Sequence, residues 1–273
     1  MFRRLLFLPV ILLLALPAAA DPVGRLADAL QIDRLIGILR DEGLRYGGEL
    51  EQELFPGSGG TRWAAIVSSI HARDRMRAAA LEALREELAG QEAAVETMSA
   101  FFETELGARI VGLELTAREG LLEPAVKDAA ELAWEDMVAA GSPRVRQLER
   151  FAEVNDLIEQ NVAGALNANL AFWQGMLEAG ASDPSLAESE MLADLWSQEP
   201  QIRQDMQDWL FPYLALAYQP LEDSDLAAYI AFSDTEEGRI LNAALFSAFD
   251  RLFAMLSRDL GFAAARFMQG EDI

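Results

Sequence analysis

A motif of eight residues occurs twice in the chain. Residues 100–107 are Ala-Phe-Phe-Glu-Thr-Glu-Leu-Gly, and residues 231–238 are Ala-Phe-Ser-Asp-Thr-Glu-Glu-Gly. Five of the eight positions are identical, and a sixth exchanges glutamate for aspartate. Because the two copies occupy corresponding places in the two halves of the chain, we expect one helical unit to be used twice. The motif constrains the architecture and indicates no reaction.

The motif predicts a capped corner between two helices. The threonine hydroxyl can accept a hydrogen bond from an N–H group of the next turn, and the helix dipole favours the glutamate that follows. The glycine lets the preceding helix cross closely, and the phenylalanine can anchor the corner in a loose version of the hydrophobic staple. A ligand or metal site built on the Thr-Glu pairs is the alternative. The predicted structural motif is Phe101, Thr104, Glu105 and Gly107, repeated as Phe232, Thr235, Glu236 and Gly238.

Each half opens with a cap residue before proline, Asp21-Pro22 and Ser142-Pro143, which is typical of a helix start. We predict one long helix over residues 22–55, with Gly43, Gly47 and Gly48 as weak points, and another over residues 143–178. Loops follow at residues 56–60 and 181–185. Thr104 and Thr235 are 131 residues apart, whereas the two prolines are 121 apart. The second half therefore carries extra residues, which we expect around 180–189.

Alanine, leucine, glutamate, arginine and glutamine dominate the chain, and no segment shows sustained strand alternation. The expected fold class is therefore all-α, with two related helical-bundle subdomains that arose by tandem duplication. The expected boundaries are a signal peptide over residues 1–20, a first repeat over residues 21–141 and a second repeat over residues 142–273.

The first twenty residues have the three regions of a secretory signal peptide. A basic start precedes an apolar run over residues 5–16, and Pro-Ala-Ala-Ala follows. The run is short for a membrane span, although an uncleaved anchor is the alternative. We expect cleavage after Ala20 and a periplasmic or secreted protein with no transmembrane span once the signal is removed. The chain has no cysteine, which rules out a lipid-carrying cysteine and disulfides alike.

The formal net charge is −23, and loss of Arg3 and Arg4 with the signal peptide makes it −25. An acidic surface repels the phosphates of nucleic acids, so we expect no nucleic-acid partner. Solubility is the simplest explanation of this charge, and attraction to cations or to a basic partner is the other.

Few residues carry the chemistry that catalysis needs. His71 is the single histidine, so a histidine-rich zinc site or a di-iron bundle is not expected, and no Gly-x-Ser-x-Gly elbow accompanies it. We predict that His71 is a surface or boundary residue. Acidic neighbours such as Glu86-Glu87, Glu236-Glu237 and Asp223 with Asp225 are expected to be solvated. We therefore expect no catalytic residue, no metal site and no cofactor.

Tryptophans and phenylalanines indicate a large apolar interior, and a groove for an apolar ligand or a partner helix is the alternative. The amphipathic tail, residues 252–268, is the expected contact face of such a groove. The aromatic residues concerned are Trp63, Trp134, Trp173, Trp196, Trp209, Phe246, Phe249, Phe253, Phe262 and Phe267.

The later copy resembles a known family. Tyr213 and Tyr218 precede an acidic helix start at residues 222–226, and Tyr229 leads into the corner. This order is similar to that in a bacterial family of secreted, all-helical domains of unknown function, number two thousand and fifty-nine of that series. The likeness is clearest over residues 204–260. The family often has proline where this chain has Glu105 and Glu236. The resemblance implies export and helices, and it implies no catalytic residues.

These observations lead to an expected function. We expect an exported, non-enzymatic helical protein of the cell envelope that binds a protein or an apolar ligand, or has a structural role. The alternatives are a hydrolase built from carboxylates that acts on an envelope polymer, and a carrier of a small apolar ligand.

Overall fold

The computed structural model describes residues 21–180 and 184–270, and within them every regular element is an α-helix. The predicted all-α class is confirmed. The signal peptide expected over residues 1–20 lies outside the described residues. The helices are α1 Pro22–Ala29, α2 Ile32–Leu54, α3 Gly60–Ile70, α4 Arg73–Glu87, α5 Glu92–Phe102, α6 Glu105–Gly120, α7 Pro124–Ala139, α8 Pro143–Val154, α9 Leu157–Glu178, α10 Pro184–Tyr218, α11 Asp223–Ser233 and α12 Glu236–Met268.

The two long helices predicted from the caps are each broken, so that part of the prediction is wrong. Gln31 separates α1 from α2, and Asp156 separates α8 from α9; both residues have left-handed backbone, with φ of 50° and 51°. Few residues other than glycine adopt this conformation, and in both halves it redirects the chain shortly after the proline start. The predicted caps themselves are present, because Asp21 accepts from the N–H of Gly24 and Ser142 accepts from that of Arg144.

The loop predicted over residues 181–185 ends earlier than expected, because α10 begins at Pro184. Residues 181–183 of that loop lie outside the described part of the chain. In the first half, the loop predicted over residues 56–60 ends at residue 59, because Gly60 is the first residue of α3.

Helix α2 is continuous through its glycines, and two of them, Gly43 and Gly47, are packing positions. A Cβ on Gly47 would lie 2.5 Å from a methyl carbon of Val67 in α3, whereas one on Gly48 would meet nothing within 4 Å. The indole N–H of Trp63 also donates to the carbonyl of Gly47 at 2.7 Å. Small residues in α2 thus let α3 approach closely.

The helix that follows each corner packs against the other half of the chain. We call α6 and α7 the first arm and α12 the second arm. The second arm contacts α2, α3, α4 and α5 of the first half. Within its own half it contacts α9 and α11. The first arm contacts α10 and α8 of the second half. Each half therefore completes its apolar core with a helix from the other.

Three apolar clusters follow from this exchange. One joins α2, α3 and α4 to the later part of α12, and one joins α8, α10 and α11 to α6. The central cluster contains residues of α1, α4, α5, α6 and the start of α12.

Buried residues of α12 recur four positions apart along one face of the helix, which is the spacing that buries a continuous stripe. By length and composition, α12 is also apolar enough to cross a membrane. In this fold it packs against six of the other helices. One face of the tail is buried by this packing, whereas Phe253, Phe262 and Met268 are exposed, so the tail as a contact face stays a prediction. The stripe is Ala244, Ala248, Leu252, Leu256, Leu260 and Ala264.

The tryptophans divide between the core and the surface. Trp63 is 1% exposed and lies in a cluster with Phe55 and Phe267. Trp173 and Trp196 are 40% and 68% exposed, so the prediction of an interior position is wrong for these two.

Candidate functional site

Both threonine corners have the same hydrogen bonds. Thr104 accepts from the N–H of Gly107 at 3.0 Å and donates to the carbonyl of Phe101 at 2.7 Å. Thr235 accepts from Gly238 at 3.0 Å and donates to Phe232 at 2.6 Å. Each threonine is the N-cap of the next helix, and Glu105 and Glu236 are the first residues of α6 and α12. The threonine hydroxyls are thus engaged in capping.

The glycine of each corner contacts the backbone of the preceding helix. A Cβ on Gly107 would lie 2.3 Å from the carbonyl oxygen of Phe101, and one on Gly238 would lie 2.3 Å from that of Phe232. These distances are far below van der Waals contact, so any side chain there would force the two helices apart.

The two corners meet at their phenylalanines. The rings of Phe101 and Phe232 stack with centroids 3.9 Å apart and planes inclined by 6°. Phe102 meets both Phe232 and Tyr229 edge-on. The motif therefore places its two copies face to face, which the sequence alone did not indicate.

A carboxyl group and two tyrosines lie together at a contact between the two halves. The hydroxyl of Tyr218, at the end of α10, donates to Oε1 of Glu114 in α6 at 2.5 Å. Tyr229 of α11 also interacts with this carboxyl and lowers its pKa. We call Glu114, Tyr218 and Tyr229 the carboxyl–tyrosine cluster. It joins the first arm to two helices of the second half.

Burial dominates the electrostatics of this cluster. Glu114 is partly buried, and the protein atoms around its carboxyl raise its pKa to about 7, although Tyr218 and Tyr229 oppose that rise. Burial and the neighbouring Glu114 raise the pKa of Tyr218 and of Tyr229 well above the ordinary value. Both tyrosines therefore remain protonated hydrogen-bond donors across the physiological range.

Aromatic rings enclose the cluster. Phe151 of α8 contacts Tyr218 edge-on at 5.3 Å and Tyr229 at 5.0 Å between centroids. Tyr229 in turn lies parallel to Phe101 of the first corner. One continuous set of rings thus connects the stacked corners to Glu114.

A charged pair lies beside the cluster. Arg118, one helical turn after Glu114, binds Glu42 of α2 through two hydrogen bonds of 2.9 Å. Its guanidinium also lies over the ring of Trp209, 5.7 Å from the centroid. Arg118 is thus paired with Glu42, and the carboxyl of Glu114 accepts its hydrogen bond from the hydroxyl of Tyr218.

His71 is buried, with 5% of its surface exposed, so the prediction of a surface or boundary position is wrong. Its ring packs on Gly43 of α2, where an added Cβ would lie 2.2 Å from Cδ2. Nδ1 lies 2.9 Å from the carbonyl oxygen of Val67, and burial lowers the pKa of the imidazole. These contacts make His71 a packing residue at the corner between α3 and α4.

Two surface depressions contain carboxylates. The larger, about 470 Å³, lies between α9 and α12. The smaller, about 280 Å³, lies beside the break at Gln31. Arg258 binds Glu178 at the rim of the larger one, and Arg77 binds Asp33 in the smaller one. The larger depression is lined by Ala171, Gln174, Glu178, Ala254, Met255, Arg258, Asp259 and Phe262.

Several of the acidic residues noted in the sequence are paired with arginine. Glu86 and Glu87 both bind Arg251, and Asp223 binds Arg144 at 3.1 Å. Within the described part of the chain, no group of three or more acidic or histidine side chains is placed to hold a metal ion.

Sequence reasoning missed Glu114, although a signal was present. Glu114 lies four residues after Ile110 and three after Val111, both buried, so helical spacing alone places it on the apolar face of α6. Its partner Tyr218 is 104 residues away, which local patterns cannot reveal.

Comparisons of the chain with protein-family models, with curated proteins and with solved structures give no match. The resemblance of residues 204–260 to the secreted helical family stays a prediction.

Proposed function

We propose that the mature chain is an exported, non-enzymatic protein of the cell envelope that binds an apolar group in the depression between α9 and α12. The composition of this depression is the observation that carries the proposal. Ala171, Ala254, Met255 and Phe262 supply the apolar half of its lining, and its volume lies within the range of small-molecule sites.

The charged residues around the depression suit binding better than catalysis. Arg258 forms two hydrogen bonds with Glu178, at 2.6 and 3.1 Å, and Asp259 pairs with Arg75. Both carboxylates of the depression are thus paired with arginine side chains. Apolar contacts in the depression and fixed charges at its rim are typical of a site that orients a ligand.

Export and duplication are part of the same proposal. The signal-like start supports export to the periplasm or the medium. Duplication is supported by the two capped corners, by the two left-handed breaks at Gln31 and Asp156, and by the exchange of arms. The boundary of the two repeats falls at residues 141–142.

A carboxylate-based hydrolase is the second candidate, because Glu114 has the raised pKa expected of a general acid. However, Glu114 lines neither depression, and the hydroxyl of Tyr218 already donates a hydrogen bond to its carboxyl. Hydrolysis of an envelope polysaccharide that is lost in Glu114→Gln would favour this candidate over the binding protein.

Two phenylalanines of α12 provide a matched test of the binding proposal. Phe262 lines the depression and is 37% exposed, whereas Phe253 is 36% exposed and is not part of the lining. The neutral probe N-phenyl-1-naphthylamine should become fluorescent on the wild-type protein. We expect Phe262→Ala to weaken its binding about tenfold, the effect of losing about 1.4 kcal/mol of apolar contact, and Phe253→Ala to leave it unchanged.

The proposal fails if the wild-type protein does not bind the probe, or if the two alanine variants weaken binding equally. Equal weakening would show general apolar adsorption to α12. Circular dichroism of both variants serves as the control for folding.

A further inference from the structure

Glu114 lies at a contact between the two halves. It belongs to α6 in the first arm, whereas Tyr218 and Tyr229 belong to α10 and α11 of the second half. The hydrogen bond from Tyr218, together with the interaction of Tyr229 with the same carboxyl, therefore fastens one half to the other at Glu114. Tyr213 of α10 adds a weaker bond of 3.4 Å, from its hydroxyl to the backbone carbonyl of Glu114.

We propose that the carboxyl–tyrosine cluster is a protonation-dependent latch, which holds the first arm against α10 and α11 when Glu114 is neutral and loosens when Glu114 ionises.

The surroundings of Glu114 determine the direction of this effect. The tyrosines Tyr213, Tyr218 and Tyr229 contact it, and Arg118, one helical turn further along α6, is paired with Glu42 of α2. Within the described residues, none of these groups supplies a free positive charge. A carboxylate that is buried without a cation costs free energy, and separating the helices would let water reach it.

Tyrosine hydrogen bonds offset part of this cost. The hydroxyls of Tyr218 and Tyr229 lower the pKa of Glu114, but burial outweighs them and the pKa remains at about 7. The latch therefore changes state near neutral pH, within the range in which extracellular conditions vary. The hydroxyl of Tyr213 contacts the backbone carbonyl of Glu114 and not its carboxyl.

The first experiment measures the titration of Glu114 in the full mature chain. Carbon-13 carboxyl NMR should show a midpoint near pH 7. Tyr218→Phe should move this midpoint upward, because it removes a bond to the ionised form. Tyr213→Phe is the matched control, and it should leave the midpoint in place. A midpoint near the ordinary value of 4.5 would overturn the proposal, and so would equal shifts in the two variants.

The second experiment measures the separation of the helices. The chain has no cysteine, so spin labels can be placed at Ala108→Cys in α6 and Ala228→Cys in α11, both exposed positions. Pulsed electron spin resonance should give a narrow distance distribution at pH 5 and a broader or longer one at pH 8. In the Glu114→Gln background the distribution should stay narrow at both pH values. Identical distributions at both pH values in the wild-type background would overturn the latch even if Glu114 titrates near pH 7.

Discussion

The two arms begin with the same capped corner and then enter different surroundings. The second arm, α12, is continuous over Glu236–Met268 and buries a stripe of leucine and alanine. The first arm ends α6 at Gly120 and restarts at Pro124, and it carries Glu114 into its apolar contact. When the two arms are aligned by their corners, which are 131 residues apart, Leu245 of the second arm is the position equivalent to Glu114 of the first. A corner thus fixes where a helix starts, and the residues beyond it decide how firmly the helix is held.

The arms also differ at their glycines, and this difference should have the largest effect. A Cβ on Gly261 of α12 would lie 2.0 Å from the carbonyl oxygen of Phe172 in α9, whereas one on Gly112 of α6 would meet nothing within 4 Å. We expect Gly261→Ala to lower the free energy of unfolding by about 3 kcal/mol, because two backbones must separate. Gly112→Ala should raise it by about 0.5–1 kcal/mol, since alanine favours helix. Urea unfolding of both variants measures the contrast, and a similar change in the two would contradict it.

The polar contact of the first arm should make stability depend on pH. The pKa of Glu114 is raised from 4.5 to about 7 in the folded protein, so the folded state holds its proton more tightly than the unfolded state. Relative to Glu114→Gln, the wild-type stability should therefore fall as the pH rises from about 4.5 to 7 and level off above that. The expected fall is about 2–3 kcal/mol.

Thermal unfolding across this pH range measures the difference between the two proteins. Glu119→Gln is a suitable control, because Glu119 is on the same helix and its side chain is 56% exposed. Parallel curves for wild type and Glu114→Gln would show that the carboxyl is not buried at the contact.

The two corners should be equivalent in stability even though the arms differ. Thr104→Ala and Thr235→Ala should each lower the free energy of unfolding by about 1 kcal/mol, the usual cost of a lost N-cap. Thr97→Ala is the control, since Thr97 lies within α5 and bonds only to the carbonyl of Ala93 in its own helix. A loss at one corner and none at the other would break the equivalence.

The smallest expected effect is the coupling between the corners. A double-mutant cycle of Phe101→Leu and Phe232→Leu should give a coupling energy of about 0.5–1 kcal/mol, because the rings stack directly. The same cycle for Phe249 and Phe253, whose centroids are 6.4 Å apart, should give less. Equal values in the two cycles would mean that the stacked pair contributes no more than ordinary apolar contact.

Local patterns predicted the helical class, the proline starts and the residues of both corners, because each depends on neighbours within a few positions. They did not predict the breaks at Gln31 and Asp156, since glutamine carries no preference for left-handed backbone. Nor did they place His71, whose burial depends on the absence of a side chain at Gly43, 28 residues earlier.

The candidate site was harder to predict than the fold. The carboxyl–tyrosine cluster and the stack of Phe101 on Phe232 each join residues more than 100 positions apart. Such pairs form only because the arms pack against opposite halves. The sequence shows that the motif occurs twice, but it does not show how the two copies are oriented relative to each other.

Cleavage between the halves tests the exchange of arms most directly. A protease site inserted after Gly141, which is exposed in the turn between α7 and α8, would divide the chain without removing any helix. Because each apolar core contains an arm of the other half, we predict that the cleaved halves elute together in gel filtration, at the volume of the uncleaved variant, and separate only in denaturant. Two halves that separate under native conditions as folded monomers would contradict the exchange.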